Sequence, residues 1–299
     1  MSLSELRTLI ARHSPDGVHE TSIPGVLVSR VSEPGPPRES TTGTVLAIIA
    51  QGGKRLAVGD RVHEYGEGQY LVASVDIPVS GQFTRATAAH PALGFALTLN
   101  PSVVADLLLS PAARDLPRAT RGGAPAPGVA VGDATPELLD AATRMLRLLD
   151  RPADARVLAP LIEREMHWLL MRGDQGAAVR QLGLADSGVS RVRHAARWIR
   201  DRYAETIRID DLAASARMST SAFHRNFQAV TALSPLQFQK QIRLQEARMR
   251  LLADPRDVAG VAYAVGYESP SQFSREYRRQ FGAPPGQDAA RLRAAGTAV

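Results

Sequence analysis

Between residues 15 and 135 short apolar runs alternate with breakers. The runs are Val26–Val31, Val45–Ala50, Tyr70–Val75 and Leu93–Leu99, and this stretch holds 15 of the 24 glycines and 12 of the 20 prolines. In the last run Leu93, Phe95, Leu97 and Leu99 share one face, while Gly94, Ala96, Thr98 and Asn100 share the other. Period two with turn punctuation predicts antiparallel strands in a barrel or sandwich. Ser2 to Arg12 reads as a short leading helix, and Pro117 to Gly132 as a Pro/Gly-rich connector.

From Thr135 the period becomes helical. Thr135 suits an N-cap, Pro136 the first turn and Glu137 the positive end of the dipole. Leu138, Ala142, Met145 and Leu149 form one apolar stripe, and Arg151-Pro152 breaks it. Leu158, Leu161, Ile162, Glu165, Met166 and Leu169 then follow at helical spacing toward Gly173. The two helices make a hairpin over about 135–173. Its apolar faces either pack on the barrel or meet a second copy of the chain, and a dimer contact is the preferred reading. Gly183 to Ser190 reads as a linker. The expected domains are therefore 1–182, a linker at 183–190, and 191–299.

Beyond the linker the chain repeats itself at an offset of 50. Ser219, Ser221, Phe223, Arg225 and Phe227 match Ser269, Ser271, Phe273, Arg275 and Tyr277; upstream, Leu212 and Ala216 align with Ala262 and Gly266. Each unit reads as a short helix, a tight turn and a longer helix, the helix-turn-helix pattern. The serines cap, and the aromatic pairs, four apart, face inward. The other face carries Ser221, His224, Arg225 and Gln228 in the first unit and Ser271, Gln272, Ser274 and Arg275 in the second. Such residues near a helix start suit base edges in the major groove. Between the units Pro235 to Ala253 reads as one helix of roughly 28 Å, a rod suited to holding two reading helices about one DNA turn apart. Lys240 and Arg243 on it are candidate phosphate contacts.

Charge sharpens this picture. Residues 187–299 carry 18 Lys and Arg against 10 Asp and Glu, while residues 1–186 carry 18 against 20. The basic excess therefore sits on the repeated part, as expected of a nucleic-acid reader joined to a second module. Cysteine is absent, which excludes disulfides, thiolate metal sites and cysteine nucleophiles. The start of the chain lacks the pattern of a secretory signal, and no apolar run is long enough to span a bilayer. A cytoplasmic protein with no membrane partner is expected.

The C-terminal part resembles the AraC/XylS DNA-binding domain. The stretches that carry the resemblance are Ser234-Pro235-Leu236-Gln237-Phe238, Arg243 to Arg248, and Val265-Gly266-Tyr267-Glu268-Ser269 with Gln272-Phe273-Ser274-Arg275. The resemblance implies seven helices, two of them reading adjacent major grooves, with Ser221, His224, Arg225, Ser271, Gln272, Ser274 and Arg275 facing bases. The family usually has Gly where Arg217 stands, so a positive φ there would carry a cost. The N-terminal half is similar to a subgroup of AraC-type regulators, through Gln51-Gly52-Gly53-Lys54, Gly68 to Val72, Asp76 to Val79 and Leu158 to Glu165. That implies a cupin-like sensor barrel followed by a helical dimerisation hairpin. A pocket in such a barrel would draw on Lys54, Tyr65, Tyr70 and Arg85.

The expected fold is thus α+β and multidomain: an N-terminal cupin-like β-barrel with a helical dimerisation hairpin, and a C-terminal all-α double helix-turn-helix domain. Three function classes fit such a chain to different degrees. A cupin-type enzyme needs clustered histidines, and the one candidate, His63 with Glu64 and Glu67, lacks the His-x-His pair because Tyr65 takes the second position; no metal, no cofactor and no catalytic residue is expected. A regulator whose barrel only dimerises, or answers to a protein partner, stays open. The preferred reading is a transcription regulator that binds double-stranded DNA as a homodimer, is gated by a small-molecule effector, and has RNA polymerase as a further partner.

Overall fold

The computed structural model describes residues 3–117, 126–184, 187–255 and 257–294. Helix α1 (Leu3–His13) comes first, as the leading periodicity predicts. The strands are β1 (Gly17–Glu20), β2 (Val26–Val31), β3 (Arg38–Thr41), β4 (Val45–Gln51), β5 (Gly53–Val58), β6 (Arg61–Gly66), β7 (Gln69–Ala73), β8 (Pro78–Arg85) and β9 (Ala92–Thr98). Helix α2 (Pro101–Leu109), strand β10 (Val129–Asp133) and helices α3 (Pro136–Arg147), α4 (Pro152–Arg172) and α5 (Gly176–Arg180) follow. Residues 118–125 of the expected connector lie outside the described residues. Its last part is a strand: Val129–Asp133 pairs antiparallel with β7 along its whole length.

The strands form two antiparallel ladders, ordered β1-β2-β9-β4-β7-β10 and β3-β8-β5-β6. Strand β4 is apolar on both faces because both are covered. Leu46, Ile48 and Ala50 join Val26, Val28, Phe95 and Leu97 in a core shared with α1, α3 and α4. The opposite face of the same sheet carries Ser29, Ala47, Ile49, Leu71, Gly94 and Ala96, and β6 of the small sheet packs near it. The alternation in β9 thus turns its large residues to the helices and its small ones between the sheets. The ladders meet where β4 turns into β5 at Gly52, whose φ is 84° and whose missing Cβ would come within 2.3 Å of the Arg85 carbonyl oxygen.

The helical hairpin forms as the sequence predicts. Thr135 Oγ1 accepts from the Leu138 N–H at 3.3 Å, and Pro136 opens α3. One face of the hairpin is committed to the large sheet through Leu138, Ala142, Met145, Ile162, Met166 and Leu170. His167 is fully buried there as a hydrogen-bonded core histidine: its Nε2 accepts from the Asn100 N–H at 2.9 Å and its Nδ1 meets the Glu163 carbonyl at 2.7 Å. Burial lowers its pKa, with the bond to Glu163 opposing. On the other side of α4, Val157 and Leu161 stay 66% and 60% exposed, with Leu158 beside them.

Seven helices follow among the described residues: α6 (Gly188–Asp201), α7 (Ile209–Ser215), α8 (Thr220–Thr231), α9 (Pro235–Ala253), α10 (Val258–Ala264), α11 (Pro270–Phe281) and α12 (Pro285–Ala294). Helix α6 begins inside the expected linker. By contacts the chain divides into two units, residues up to Arg193 with Arg225–Leu233, and His194–His224 with the chain from Ser234 onward.

The two helix-turn-helix units superimpose on the sequence with one correction. Met218 N–H donates to Ala213 O, and Tyr267 N–H to Ala262 O. Ala213 therefore matches Ala262, and Arg217 (φ 52°) matches Gly266 (φ 89°), an offset of 49 rather than 50. The second turn is one residue longer before its capping serine, which restores the offset of 50 downstream. Arg217 does occupy the left-handed region, at a cost of roughly 1 kcal/mol relative to glycine.

The second unit is held by a buried acid that the sequence did not reveal. Asp288 on α12 is fully buried and accepts from Arg248 at 2.8 Å, Arg291 at 2.7 Å and the Tyr277 hydroxyl at 3.0 Å. Burial alone would raise its pKa, but the bonds and charge of Arg248, with Tyr277 and Arg291, outweigh it and hold the carboxyl below its ordinary value. The resulting stability is full above the ordinary carboxyl range and is lost as pH falls through the depressed folded value. Asp288→Ala should cost about 3 kcal/mol, because it leaves Arg248 half-enclosed without its partner. Thermal unfolding at neutral pH and near pH 3 checks this: the gap between wild type and variant should narrow in acid.

Candidate functional site

Helices α8 and α11 are each set by a cap and an aromatic pair. The Ser219 hydroxyl accepts from the Ala222 N–H and the Ser269 hydroxyl from the Gln272 N–H, both at 3.3 Å. These bonds satisfy first-turn donors that a helix cannot pair internally. Phe223 and Phe227, then Phe273 and Tyr277, are all fully buried. Tyr267, Phe273, Tyr277 and Phe281 meet in sequence edge-to-face or tilted, with centroids 5.3, 5.5 and 4.5 Å apart.

That burial fixes which face each helix shows. Ser221, His224, Arg225 and Gln228 are exposed on α8, and Ser271, Gln272 and Arg275 on α11. Ser274 is half-buried. Gln272 reaches back to Glu276 only at the 3.5 Å limit, so its amide is weakly held. Arg278 and Arg279 continue the exposed basic surface of α11; sequence reasoning did not single them out, although their spacing beyond Arg275 was visible.

The two expected phosphate contacts fare differently. Lys240 stands 4.0 Å from Glu276, a loose pair that leaves its ammonium available. Arg243 is engaged inside the fold: it donates to the carbonyls of Tyr203 at 2.6 Å, Ala204 at 3.3 Å and Glu205 at 3.0 Å. Beside it the Gln239 amide donates to Tyr203 and Glu205. Arg243 therefore ties α9 to the end of α6 through its Nε and Nη2 donors, and only its Nη1 group is left outside these bonds for a phosphate.

In the N-terminal unit the four expected effector residues separate. Lys54 and Tyr65 are direct cross-strand partners of β5 and β6, and Phe83 of β8 pairs with Lys54 on its other side. They share the face of Leu56, Val58 and Val79, which are buried toward the large sheet. Lys54 Nζ lies 4.9 Å from the centre of the Phe83 ring, and among the described residues no carboxylate pairs with it. Burial alone lowers its pKa. Lys54 itself is half-buried, so a cation–π contact of about 1 kcal/mol offsets part of the cost of its partial desolvation. Burial likewise raises the Tyr65 hydroxyl, well above its ordinary range.

Tyr70 does not join them. It lies on the helix-facing side of β7, in the core with α3 and α4, and its ring packs on Gly132. Its run is apolar on both faces, so the sequence could not say which way it turned. Arg85 lies at the rim, where its guanidinium donates to the Gly52 carbonyl at 3.2 Å and lines an open cleft of about 590 Å³ with Arg7, Gln51, Glu67 and His90. The residues of the enzyme-type metal set are dispersed: Glu64 pairs with Arg55 at 3.4 Å, Glu67 pairs with Arg7 at 2.7 Å, and His63 sits on the face opposite Glu64. Among the described residues no cluster of three or more metal-ligating side chains occurs, and no helix is long and apolar enough to cross a membrane.

Comparison with known proteins agrees with this architecture. A model of the AraC-type transcriptional regulator N-terminus matches residues 22–178, and a helix-turn-helix domain model matches residues 212–291. Over 97 residues the chain is 34% identical to the HTH-type transcriptional regulator MtrA of Neisseria gonorrhoeae, 32% of either chain. Over 100 residues it is 28% identical to the HTH-type transcriptional activator RhaS of Escherichia coli (strain SE11), 33% of this chain and 36% of that one. The chain thus spans about a third of the length of these curated relatives. Among solved structures, an apo form of ToxT from Vibrio cholerae aligns with a TM-score of 0.55 at 9% identity, covering 91% of this chain and 99% of that one. Unsaturated fatty acid bound ToxT aligns with a TM-score of 0.52 at 8% identity, covering 89% and 93%. At such identity the likeness is one of fold. With its N-terminal family model covering more than half of its length, the chain belongs to the AraC-type transcriptional regulators.

Proposed function

We propose that this protein is a sequence-specific DNA-binding transcription regulator that reads two major-groove sites with α8 and α11. The observation that carries this reading is the pair of exposed helix faces, each opening at a serine cap and each presenting an arginine about two turns in, at Arg225 and Arg275. Arginine pairs bidentately with guanine and glutamine with adenine, so Arg225, Gln228, Gln272 and Arg275 supply base readout. His224 and the serines fit the same edges at shorter reach. Lys240, Arg278 and Arg279 supply the sequence-independent contacts to phosphate. Helix α9, 19 residues long, spans roughly 28 Å, close to the roughly 34 Å that separates successive major grooves on one face.

The N-terminal unit takes a small-molecule effector between its two sheets, with Lys54 and Tyr65 at the site. A solved protein of the same fold carries an unsaturated fatty acid, which supports an effector-binding role. An effector gates DNA binding only insofar as it binds one state of the protein more tightly than the other. The protein acts as a homodimer through the outer side of α4, where Val157, Leu158 and Leu161 are exposed together. Deleting the hairpin would not test this, because its other face forms the core of the unit.

Selection of bound fragments from a genomic DNA pool at near-physiological salt tests the DNA reading. Wild type should enrich one motif. On that motif Arg225→Ala and Arg275→Ala should each cost about 1–3 kcal/mol and relax specificity at one position. Equal losses on random DNA would assign these arginines to phosphate instead. For the dimer, Leu158→Asp/Leu161→Asp should give a folded monomer by light scattering with an unchanged circular dichroism spectrum; a persistent dimer would move the interface elsewhere.

A further inference from the structure

The open cleft of about 590 Å³ at the rim of the N-terminal unit holds a guanidinium that the backbone is shaped to carry. Arg85 closes β8 and pairs with Gly53 across the ladder to β5. Three glycines form its seat. A Cβ added at Gly53 would stand 2.7 Å from Nε, one at Gly66 would overlap Nη2, and one at Gly52 would overlap the Arg85 carbonyl. A side chain at Gly53 or Gly66 would therefore displace the guanidinium. The Gly52 carbonyl, 3.2 Å from Nη2, is the one hydrogen-bond partner of Arg85 among the described residues, and no carboxylate there pairs with it.

The other charges of the cleft are settled within the chain. Arg7 pairs with Glu67 at 2.7 Å and donates from Nε to the Ala50 carbonyl at 2.6 Å, while the second oxygen of Glu67 accepts from the Gly52 N–H at 3.2 Å. Arg7 and Glu67 cancel, so Arg85 leaves the cleft with a net positive charge. Thr87 and His90 close a tight turn in which each backbone N–H donates to the other's carbonyl, at 3.0 and 3.1 Å, and the His90 N–H also reaches the Thr87 hydroxyl oxygen at 3.0 Å. Thr84, Thr87 and His90 all line the cleft, and Ala86 is its one apolar side chain. Among the described residues nothing accepts the hydroxyl protons of Thr84 and Thr87, and nothing pairs with the His90 ring.

A seated guanidinium without a counter-charge, ringed by hydroxyl and imidazole donors, is suited to a compact anion with many oxygens. We propose that this cleft binds the phosphate monoester of a small polar molecule, with the phosphate on Arg85 and with Thr84, Thr87 and His90 as further donors. The arginine fork matches two oxygens of a phosphate. A phosphate monoester offers a third oxygen and about two negative charges near neutral pH, whereas a carboxylate offers two oxygens and one charge and would leave donors unmet. The polar lining suits a hydroxylated body, and the volume lies in the usual range for a small ligand. Lys54 and Tyr65 do not line this cleft, so the site is separate from an effector between the sheets and does not depend on it.

Isothermal titration of the full-length protein with inorganic phosphate, glucose 6-phosphate, glucose and glucuronate tests this. Both phosphates should bind and compete with each other. Glucose should not bind, and glucuronate, with the same ring and a carboxylate, should bind at least tenfold more weakly than glucose 6-phosphate. Arg85→Ala should weaken glucose 6-phosphate at least tenfold with an unchanged thermal unfolding curve, because its side chain is exposed. Arg55→Ala, on the solvent face of the same sheet, and Lys54→Met should leave phosphate binding as in wild type. No binding of either phosphate at millimolar concentration, equal binding of glucuronate, or equal losses from Arg85→Ala and Arg55→Ala overturns the proposal. A loss with Lys54→Met in place of Arg85→Ala would move the anion to the space between the sheets and overturn it as well.

Discussion

The buried aromatic pair inside each of α8 and α11 is the constraint on which the proposed DNA-reading faces depend. Phe223 with Phe227, and Phe273 with Tyr277, lie four residues apart and admit no solvent. Burying them at native packing density fixes the rotation of each helix about its own axis. Only then do positions 221, 224, 225 and 228, or 271, 272 and 275, form a single exposed stripe. The serine caps fix where each helix starts, and so how far along it each arginine lies. In the second unit the same aromatic run is tied through Tyr277 to Asp288 and Arg248, so the acid on the last helix helps hold the reading helix that precedes it.

Charge is handled in two opposite ways. Asp288 is enclosed with three donors around it, and its negative charge is satisfied within the chain. Lys54 is half-buried between the aromatic residues Tyr65 and Phe83 on the neighbouring strands and receives only a cation–π contact. The first arrangement stabilises a fold, whereas the second leaves the ammonium without a counter-charge among the described residues.

Legibility in the sequence followed the physics of covering. Strands of the large sheet lie between helices and the small sheet, so Val26–Val31 and Val45–Ala50 stood out as apolar runs. Strands of the small sheet have a solvent face carrying Arg55, Glu64 and Gln82, and no apolar run marked them. The repeat was legible downstream of the capping serines and misaligned by one upstream, because Gly266 precedes its cap by three residues and Arg217 by two. Which positions of α8 and α11 stay exposed followed from helical period alone. The role of Arg243 did not, because its carbonyl partners lie about forty residues away in the chain, and the Asp288 cluster was hidden for the same reason.

The central claim is that one chain reads two major-groove sites, one with each helix. Hydroxyl-radical footprinting of the full-length protein on its selected DNA site, combined with single base-pair substitution along that site, tests it most directly. The account predicts two clusters of sensitive base pairs about ten apart on one face of the duplex, with Arg225→Ala desensitising one cluster and Arg275→Ala the other. A single cluster per protomer, or both substitutions acting on the same base pairs, would contradict it.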